Sequence, residues 1–149
     1  MASSTLLNQS EMELIQKKPY FFSVAAVSEG ISRCPQNGKL KKNDIGETWN
    51  LKLHKNTDIL DSIDKKGIYA IGFKAELDND VAKKNAQEML TKKKIDAVCL
   101  NIIDKENNFG SNTNEIDLIT HNKTINLEKD TKLNISFTIL EQLKEQFRE

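Results

Sequence analysis

Three segments of the chain are mainly apolar without helical periodicity: residues 20–27, 68–73 and 96–101. Such runs are typical of strands that are buried on both faces of a parallel sheet. A fourth segment, residues 48–54, alternates apolar Trp49, Leu51 and Leu53 with polar residues. This alternation predicts an antiparallel or edge strand with one buried face and one face in water.

Apolar residues at helical spacing mark two longer elements. The first opens at Asn79 and Asp80, runs into three lysines at residues 92–94, and has as its periodic positions Val81, Ala82, Ala86, Met89 and Leu90. The second begins at about Thr131, and the residues that it is predicted to bury are Leu133, Phe137, Leu140 and Phe147. Capping signals at residues 10–13 and 56–58 predict two shorter helices, which end before Pro19 and at Ile63.

Strands and helices therefore alternate along the chain, which predicts an α/β fold. Right-handed crossovers then give a mostly parallel sheet with helices on both faces. Residues 115–120 and 124–127 flank a short polar turn and are predicted to form a hairpin at one edge of the sheet. Residues 28–43 contain two glycines and a proline, which indicates a long irregular loop. Ligands of such sheets bind beyond the carboxyl ends of the strands.

Composition and charge describe one domain without a strong electrostatic preference. The 149 residues include 22 basic and 22 acidic side chains, so no basic excess favours nucleic acid as a partner. No apolar run is long enough to cross a membrane, and no secretory signal is recognised at the N-terminus, so a cytoplasmic location is expected. Cys34 and Cys99 lack metal-ligand spacing and are expected to be reduced thiols.

No common catalytic motif is present: the dinucleotide, phosphate-loop, zinc-protease and serine-hydrolase signatures are all missing. His54 and His121 are isolated, and each is interpreted as a solvent-facing or turn residue. Glu29 follows a predicted strand, where its carboxylate either accepts hydrogen bonds from the amino group of a ligand or caps the loop. The lysines of residues 39–42 and 92–94 form either solvated faces or a site for a polyanion such as a nucleoside triphosphate.

Several ordered motifs nevertheless stand out along nearly the whole chain. They are AAVSEG at residues 25–30, KLKK at 39–42, KNTDIL at 55–60, GFKAEL at 72–77, KKIDAV at 93–98, Asn101, and FGSNTN at 109–114. In this order they resemble the patterns AAV-(S/A)-D-(Y/F), KxKK, KNPDIL, GFxAET, K-x-(L/I)-D-x-(I/V), ANDV and FxSDxN. These patterns belong to the C-terminal half of phosphopantothenoylcysteine synthetase, the CTP-dependent phosphopantothenate–cysteine ligase of coenzyme A synthesis.

The resemblance implies a CTP site and a catalytic lysine. Lys39 corresponds to the family's essential lysine, which acts when the amide forms. The implied CTP-binding residues are Ser23, Val24, Ala25, Glu29, Lys39, Thr57, Asp58, Ile59, Leu60, Phe73 and Lys93. Three positions depart from the family: Glu29 replaces an aspartate that reads cytosine, Thr57 replaces a proline, and Met89 replaces the lysine that partners Lys93. Lys92 or Lys83 would have to substitute for that lysine.

The resemblance also implies a fold, a reaction and partners. The fold is a three-layer, Rossmann-like (ribokinase-like) α/β domain with an edge hairpin and a protruding strand and loop, through which a homodimer forms. The substrates are 4′-phosphopantothenate, L-cysteine and CTP, with Mg²⁺ on the triphosphate. FMN belongs only to the decarboxylase domain that is often fused in front. No nucleic-acid or membrane partner is implied.

Residues 1–149 are thus expected to form a single α/β domain, the C-terminal portion of the ligase. The family's GGTxExID and ISNxSSG segments and the flavin decarboxylase domain are absent from this sequence. The isolated chain is therefore expected to retain CTP contacts and the dimer surface but little turnover. The departures at Glu29, Thr57 and Met89 leave open an alternative, a non-catalytic dimerising nucleotide-binding module.

Overall fold

A computed structural model describes residues 18–24, 30–32, 48, 50–104, 107–108 and 110–147. Several sequence predictions fall outside these residues. They concern the helix expected after the capping signal at residues 10–13 and the side chains of Ala25, Glu29, Cys34, Lys39, Trp49 and Phe109.

The described part of the chain contains seven strands and three helices. The strands are β1 (Tyr20–Ser23), β2 (Gly30–Ser32), β3 (Leu53–Lys55), β4 (Tyr69–Glu76), β5 (Ala97–Ile102), β6 (Thr113–Thr120) and β7 (Thr124–Thr131). The helices are α1 (Ile59–Ser62), α2 (Asn79–Lys92) and α3 (Lys132–Gln146). Two units are distinguished: a small unit, Ala25–Ile63, holds β2, β3 and α1, and a main unit holds the other elements.

The main unit is built on a five-stranded sheet in the order β1-β4-β5-β6-β7. The pairs β1–β4 and β4–β5 are parallel, whereas β5–β6 and β6–β7 are antiparallel. The predicted parallel sheet with a hairpin at one edge is therefore confirmed. The hairpin is longer than predicted, and its register shifts between Asn114 and Ile116. This irregularity is a β-bulge in the outermost described strand pair.

One face of this sheet packs against α3. Alternate strand residues project to this face, because side chains of a strand point to opposite sides in turn. The buried residues of this core are Ile71, Ala97, Cys99, Ile116, Leu118, Leu127, Ile135, Ile139 and Leu143. Tyr69 and Phe147 stack beside it with ring centroids 4.5 Å apart. Phe147 is partly buried, as its place in the apolar pattern predicted.

The opposite face packs against α2, which buries Ala82, Ala86 and Leu90. The Asp78 side chain caps this helix by accepting a hydrogen bond from the Asp80 N–H at 2.9 Å. The helix opens at Asn79, as its capping residues predicted. Val81 is 41% exposed, so this member of the predicted apolar stripe is not in the core. Helices on both faces make the main unit a three-layer α/β structure.

The end of α2 is a Schellman motif. Lys93 is the C-cap, and Lys94 has a positive φ of 51°. The Lys94 N–H donates to the Thr91 carbonyl, and the Ile95 N–H donates to the Leu90 carbonyl at 3.2 Å. These are the two hydrogen bonds that define the motif. Leu90 and Ile95 are both buried. The three lysines at residues 92–94 therefore form the last turn and cap of a helix.

Helix α3 begins where predicted, with the Thr131 hydroxyl accepting a hydrogen bond from the Asn134 N–H. Its buried face was predicted wrongly, because Leu133, Phe137 and Leu140 are 65%, 57% and 37% exposed. The face in the core instead carries Ile135, Ile139 and Leu143. Both sets have helical spacing on different sides of one helix, and only packing against the sheet chooses between them.

Two strand predictions also need correction. Residues 20–27 were expected to be buried on both faces, but every residue of β1 is only half-buried, and Val24 is 63% exposed. The reason is position, since β1 stands at one end of the described strand order. Residues 28–43 were expected to be an irregular loop, but residues 30–32 form β2, which pairs antiparallel with β3.

In the small unit, the antiparallel strand that was predicted for residues 48–54 is found only at Leu53–Lys55, so most of its length and its burial were predicted wrongly. Leu51 and Leu53 are 49% and 55% exposed, so the face that was predicted to be buried is open. A sheet of two strands offers few neighbours to bury a side chain. The predicted capping of α1 is confirmed, because the Asp58 side chain accepts a hydrogen bond from the Asp61 N–H at 3.2 Å.

Candidate functional site

The carboxyl end of β1 lies beside the middle of β4, close to one of the predicted nucleotide-binding residues. Ser23 pairs in register with Gly72, and Phe73 follows Gly72 on β4, which continues for three more residues to Glu76. The strand end that was expected after Phe73 was therefore predicted wrongly. Ser23 is half-buried and Val24 is exposed. The glycine and phenylalanine belong to the GFKAEL motif, and Ser23 and Val24 lead directly into the AAVSEG motif. The carboxyl end of β1 therefore lies beside the first residue of the GFKAEL motif.

Phe73 is partly buried and packs against the core on the α3 side of the sheet. The next motif residue, Glu76, ties the end of β4 to α2. Its Oε1 accepts hydrogen bonds from Asn85 Nδ2 at 2.9 Å and from Lys74 Nζ at 3.0 Å. The Asn85 bond first, and the Lys74 ammonium second, lower the pKa of Glu76 below its ordinary value. The carboxylate is therefore charged at neutral pH and clamps strand to helix.

The KNTDIL motif forms a capped turn in the small unit. Thr57 donates its N–H to Asn56 Oδ1 at 2.8 Å, and Asp58 caps α1. Thr57 and Asp58 are exposed, Ile59 is 43% exposed, and Leu60 is buried at 5%. Asp58 thus has a structural role in the cap, while Thr57 and Ile59 present accessible surface.

Lys93 lies apart from Phe73 within the main unit. It is the C-cap of α2, which packs on one face of the sheet, whereas Phe73 packs on the face of α3. The two lysines that could replace the family's second lysine are engaged in ion pairs. Lys92 Nζ lies 2.8 Å from Glu88 Oε2, and Lys83 Nζ lies 3.2 Å from Asp117 Oδ2.

The surroundings of Cys99, His54 and His121 indicate no catalytic role for these side chains. Burial raises the pKa of the Cys99 thiol to about 12, so it stays protonated and is a poor nucleophile. His54 is exposed. His121 lies in the hairpin turn, and its Nε2 is 3.0 Å from the carbonyl oxygen of Ile95. Within the described ranges, no three His, Cys, Asp or Glu side chains cluster as metal ligands. None of the helices found there is long and apolar enough to span a membrane.

A cavity of about 190 Å³ lies on the α2 side of the sheet, beyond the end of β5. Its lining comes from α2, β5, the following loop, and the hairpin: Asn79, Leu100, Ile102, Asp104, Asn107, Glu115, Asp117 and Asn126. Sequence reasoning assigned none of these residues to a site. The retained Asn101 of the ANDV pattern was the available signal, because it accepts a hydrogen bond from Asn107 Nδ2 at 2.8 Å.

Comparison with known families and proteins places this geometry in context. The model of the DNA/pantothenate metabolism flavoprotein C-terminal domain matches residues 1–147. The coenzyme A biosynthesis bifunctional protein CoaBC of Vibrio parahaemolyticus is 35% identical over 130 residues, which are 84% of this chain and 32% of that protein. CoaBC of Haemophilus influenzae is 24% identical over 143 residues, 94% of this chain and 35% of that protein. The chain thus spans about a third of the length of these curated relatives.

Solved structures share the fold at low sequence identity. The C-terminal domain of a CoaBC protein superposes with a TM-score of 0.63 at 20% identity, covering 93% of this chain and 61% of that chain. A Cab2 mutant in complex with phosphopantothenate-cysteine superposes with a TM-score of 0.60 at 16% identity, covering 91% of this chain and 48% of that chain. The α/β fold with a separate two-stranded sheet is therefore that of the CoaBC C-terminal domain.

Proposed function

Because the chain belongs to the family of the DNA/pantothenate metabolism flavoprotein C-terminal domain, we propose that it carries the CTP-binding and dimerisation half of a phosphopantothenate–cysteine ligase. The ligase joins 4′-phosphopantothenate to L-cysteine in coenzyme A biosynthesis. A cytoplasmic location belongs to this proposal, since buried Cys99 is a free thiol and reduced thiols are the rule there.

The observation that carries the proposal is the parallel pairing of β1 with β4. It sets Ser23, the last residue of β1, beside Gly72, the first residue of the GFKAEL motif. A ligand at the end of β1 would contact Ser23, Val24 and Phe73 together. The complex of the related Cab2 protein with phosphopantothenate-cysteine supports the same class of substrate for this chain.

The proposed reaction has two steps. A carboxylate oxygen of 4′-phosphopantothenate attacks the α-phosphorus of CTP, and the bond to pyrophosphate breaks, which gives an acyl-cytidylate. The amine of L-cysteine then attacks the acyl carbon, loses a proton and expels CMP. Positioning and charge neutralisation carry both steps, and Lys39 acts in the second. Mg²⁺ would be carried by the triphosphate, and we assign it no protein ligand.

Calorimetric titration of the purified chain with CTP and with ATP tests the nucleotide assignment. We expect CTP to bind more tightly than ATP, and Lys93→Ala to weaken CTP binding by about tenfold because one charged contact is lost. Lys144→Ala, at a lysine in the last turn of α3, is the control for loss of a lysine at a helix end and should leave the affinity unchanged. If neither nucleotide binds at millimolar concentration, the site assignments are wrong.

A longer protein that contains the missing ligase motifs tests the catalytic lysine. Lys39→Ala in such a protein should abolish amide formation while acyl-cytidylate formation, followed as pyrophosphate release, continues. Loss of both steps together would contradict the assignment of Lys39 to the second step.

The proposed homodimer uses the open face of β3. Leu53 in β3 is 55% exposed, and Leu51, just before the strand, is 49% exposed. Burying such residues against a second copy stabilises a dimer. Sedimentation analysis should show a dimer that Leu53→Glu converts to a monomer, whereas Leu133→Glu on α3, at an equally exposed leucine, should not. A monomeric parent chain would contradict the proposal.

The alternative function, a non-catalytic dimerising nucleotide-binding module, is favoured by one observation. Lys92 pairs with Glu88 and Lys83 pairs with Asp117. Neither lysine is therefore available to replace the family's lysine, whose position Met89 occupies. This alternative predicts that Met89→Lys strengthens CTP binding. It also predicts that the longer protein binds CTP without releasing pyrophosphate.

A further inference from the structure

Helix α3 covers only part of its face of the main sheet. It packs chiefly against β6 and β7, whereas β1 lies three strands away from β6. Neighbouring strands are about 4.8 Å apart, so β1 is roughly 14 Å from β6. Two packed helices need only about 8–10 Å between their axes. The layer that contains α3 therefore has room for a second helix over β1.

The sheet surface at this position is apolar and incompletely covered. Tyr20 and Phe22 of β1 point to the α3 face, where they are only partly buried at the border of the core. Tyr20 also contacts Tyr69 of β4, with ring centroids 5.3 Å apart. The aromatic rings of β1 and β4 thus provide an ordered apolar floor.

The exposed apolar stripe of α3 borders this floor. Leu133, Leu140 and Phe147 recur at intervals of seven residues, which places them along one side of the helix. Phe147 stacks on Tyr69 with ring centroids 4.5 Å apart, so this side of α3 faces β4 and β1. Leu133 and Phe137 are both more than half exposed. The residues of this open α3 surface are Leu133, Phe137 and Leu140 of α3, with Tyr20 and Phe22 of β1.

The two ends of the described sheet differ in what they can accept. β1 (Tyr20–Ser23) ends the strand order on one side, although its apolar residues are typical of a central strand. β7 ends the strand order on the other side and carries charged residues at 128–130. A strand that extends this sheet therefore pairs with β1.

The hand of the crossovers decides where the helix of such an extension lies. The chain passes from β4 to its parallel neighbour β5 through α2, which packs on the face opposite α3. Nearly all crossovers between parallel strands are right-handed. A unit that starts with a strand beside β1 and runs outward, away from β4, therefore places its helix on the α3 face. That helix lies next to the open α3 surface.

The size of the related fold indicates where this unit comes from. The C-terminal domain of CoaBC shares the fold of this chain, and the chain covers 61% of it. More than a third of that domain therefore has no counterpart in this chain. From these observations we infer that the open α3 surface is the docking site for the remaining part of a CoaBC-type C-terminal domain.

The docked segment has a defined chemistry. It supplies an apolar strand that pairs parallel with β1, followed by an amphipathic helix whose apolar side packs against Leu133, Phe137 and Leu140. Because the added strand is parallel to β1, its carboxyl end comes to lie beside Ser23. Docking therefore adds residues to the candidate nucleotide site. The inference rests on the shared fold and not on the proposed use of CTP.

Co-expression of the full chain with the remaining part of the CoaBC C-terminal domain, as two separate polypeptides, tests this docking site. A purification tag on the full chain should retain the second polypeptide in an equal amount through size-exclusion chromatography. The dissociation constant of the complex is then measured by dilution.

Leu133→Glu and Phe137→Glu are the decisive variants, because both side chains are largely exposed and the free chain should still fold. We expect each to raise the dissociation constant at least tenfold, since a charge replaces an apolar contact. Val81→Glu is the matched control. Val81 is 41% exposed on α2, on the opposite face of the sheet, and its substitution should leave the complex unchanged. Circular dichroism checks that all three variants are folded.

Four results would overturn the inference. The first two are failure to retain the second polypeptide and an equal effect of Leu133→Glu and Val81→Glu. Retention only after deletion of residues 1–17 would show that the chain's own N-terminal segment occupies the surface. A smaller oligomer of the chain alone in Leu133→Glu would identify a second copy as the occupant. CTP titration of the chain alone is a separate measurement, so failure of the docking site and failure of the nucleotide assignment are distinguishable.

Discussion

Glu76 shows how a single carboxylate can join a functional strand to its covering helix. Its contact with Asn85 joins the end of β4 to α2, whereas its contact with Lys74 lies within β4. The side chain is 19% exposed, so water only partly screens these contacts. This residue therefore joins the strand that carries Phe73 to the helix that covers it.

We predict a pH-dependent loss of stability in Glu76→Gln. The lowered pKa means that the charged form stabilises the fold above the ordinary value of 4.5, and that this stabilisation disappears as the pH falls through the folded-state pKa. At pH 7 the variant should lose about 1 kcal/mol of unfolding free energy. Urea titrations at pH 7 and below pH 4 measure the difference. Glu128→Gln, which removes an exposed carboxylate on β7, is the control and should leave the unfolding free energy at pH 7 unchanged.

Among the described non-glycine residues, Lys94 is the one with a positive φ angle. Its φ of 51° lies in the left-handed region, which costs a non-glycine residue about 1–2 kcal/mol. The Schellman motif at the end of α2 holds it there. Glycine at the same position would adopt this φ without the cost.

Lys94→Gly should therefore raise the unfolding free energy by about 0.5–1 kcal/mol, after the larger chain entropy of glycine is subtracted. Lys84→Gly changes the same residue type inside α2 and should lower it by about 1 kcal/mol. Chemical denaturation of the two variants measures both effects. A loss of stability in both would show that the left-handed conformation imposes no strain at Lys94.

At the scale of elements, α3 carries two apolar stripes, and the sequence pattern selected the wrong one. Leu133, Phe137 and Leu140 recur as regularly as the residues that the core accepts. Hydrophobic spacing predicts that a helix forms, but the sheet decides which side it buries. The same limit applies to β1, whose apolar sequence matches a central strand although it is half-buried at one end of the strand order.

A pair of alanine substitutions in α3 separates the two stripes. Leu143 is fully buried, so Leu143→Ala should cost about 2–5 kcal/mol of unfolding free energy. Phe137 is 57% exposed, and Phe137→Ala should change stability by about 0.5 kcal/mol or less, although it removes the larger side chain. Thermal or urea unfolding measures both. The opposite order would mean that α3 turns its other face to the sheet.

For the molecule as a whole, local patterns predicted the alternation of strands and helices, the edge hairpin and the α/β class. They did not predict the pairing of β2 with β3, because β2 lies in a segment rich in glycine and proline, and its partner is far along the chain. The candidate site was likewise predicted only in part. Motif order predicted Ser23, Val24 and Phe73, whereas the cavity lined by Asn107 and Glu115 depends on a loop and a hairpin that meet only after folding.

The bulged hairpin has a consequence for how the protein behaves at high concentration. β7 ends the described strand order, and its outer half carries Glu128, Lys129 and Asp130 in succession, beside the register shift. A flat, neutral edge strand would be a template on which strands of other copies add to form fibrils. Twisting and alternating charge make this edge a poor template, so the concentrated protein should resist cross-β aggregation on this side.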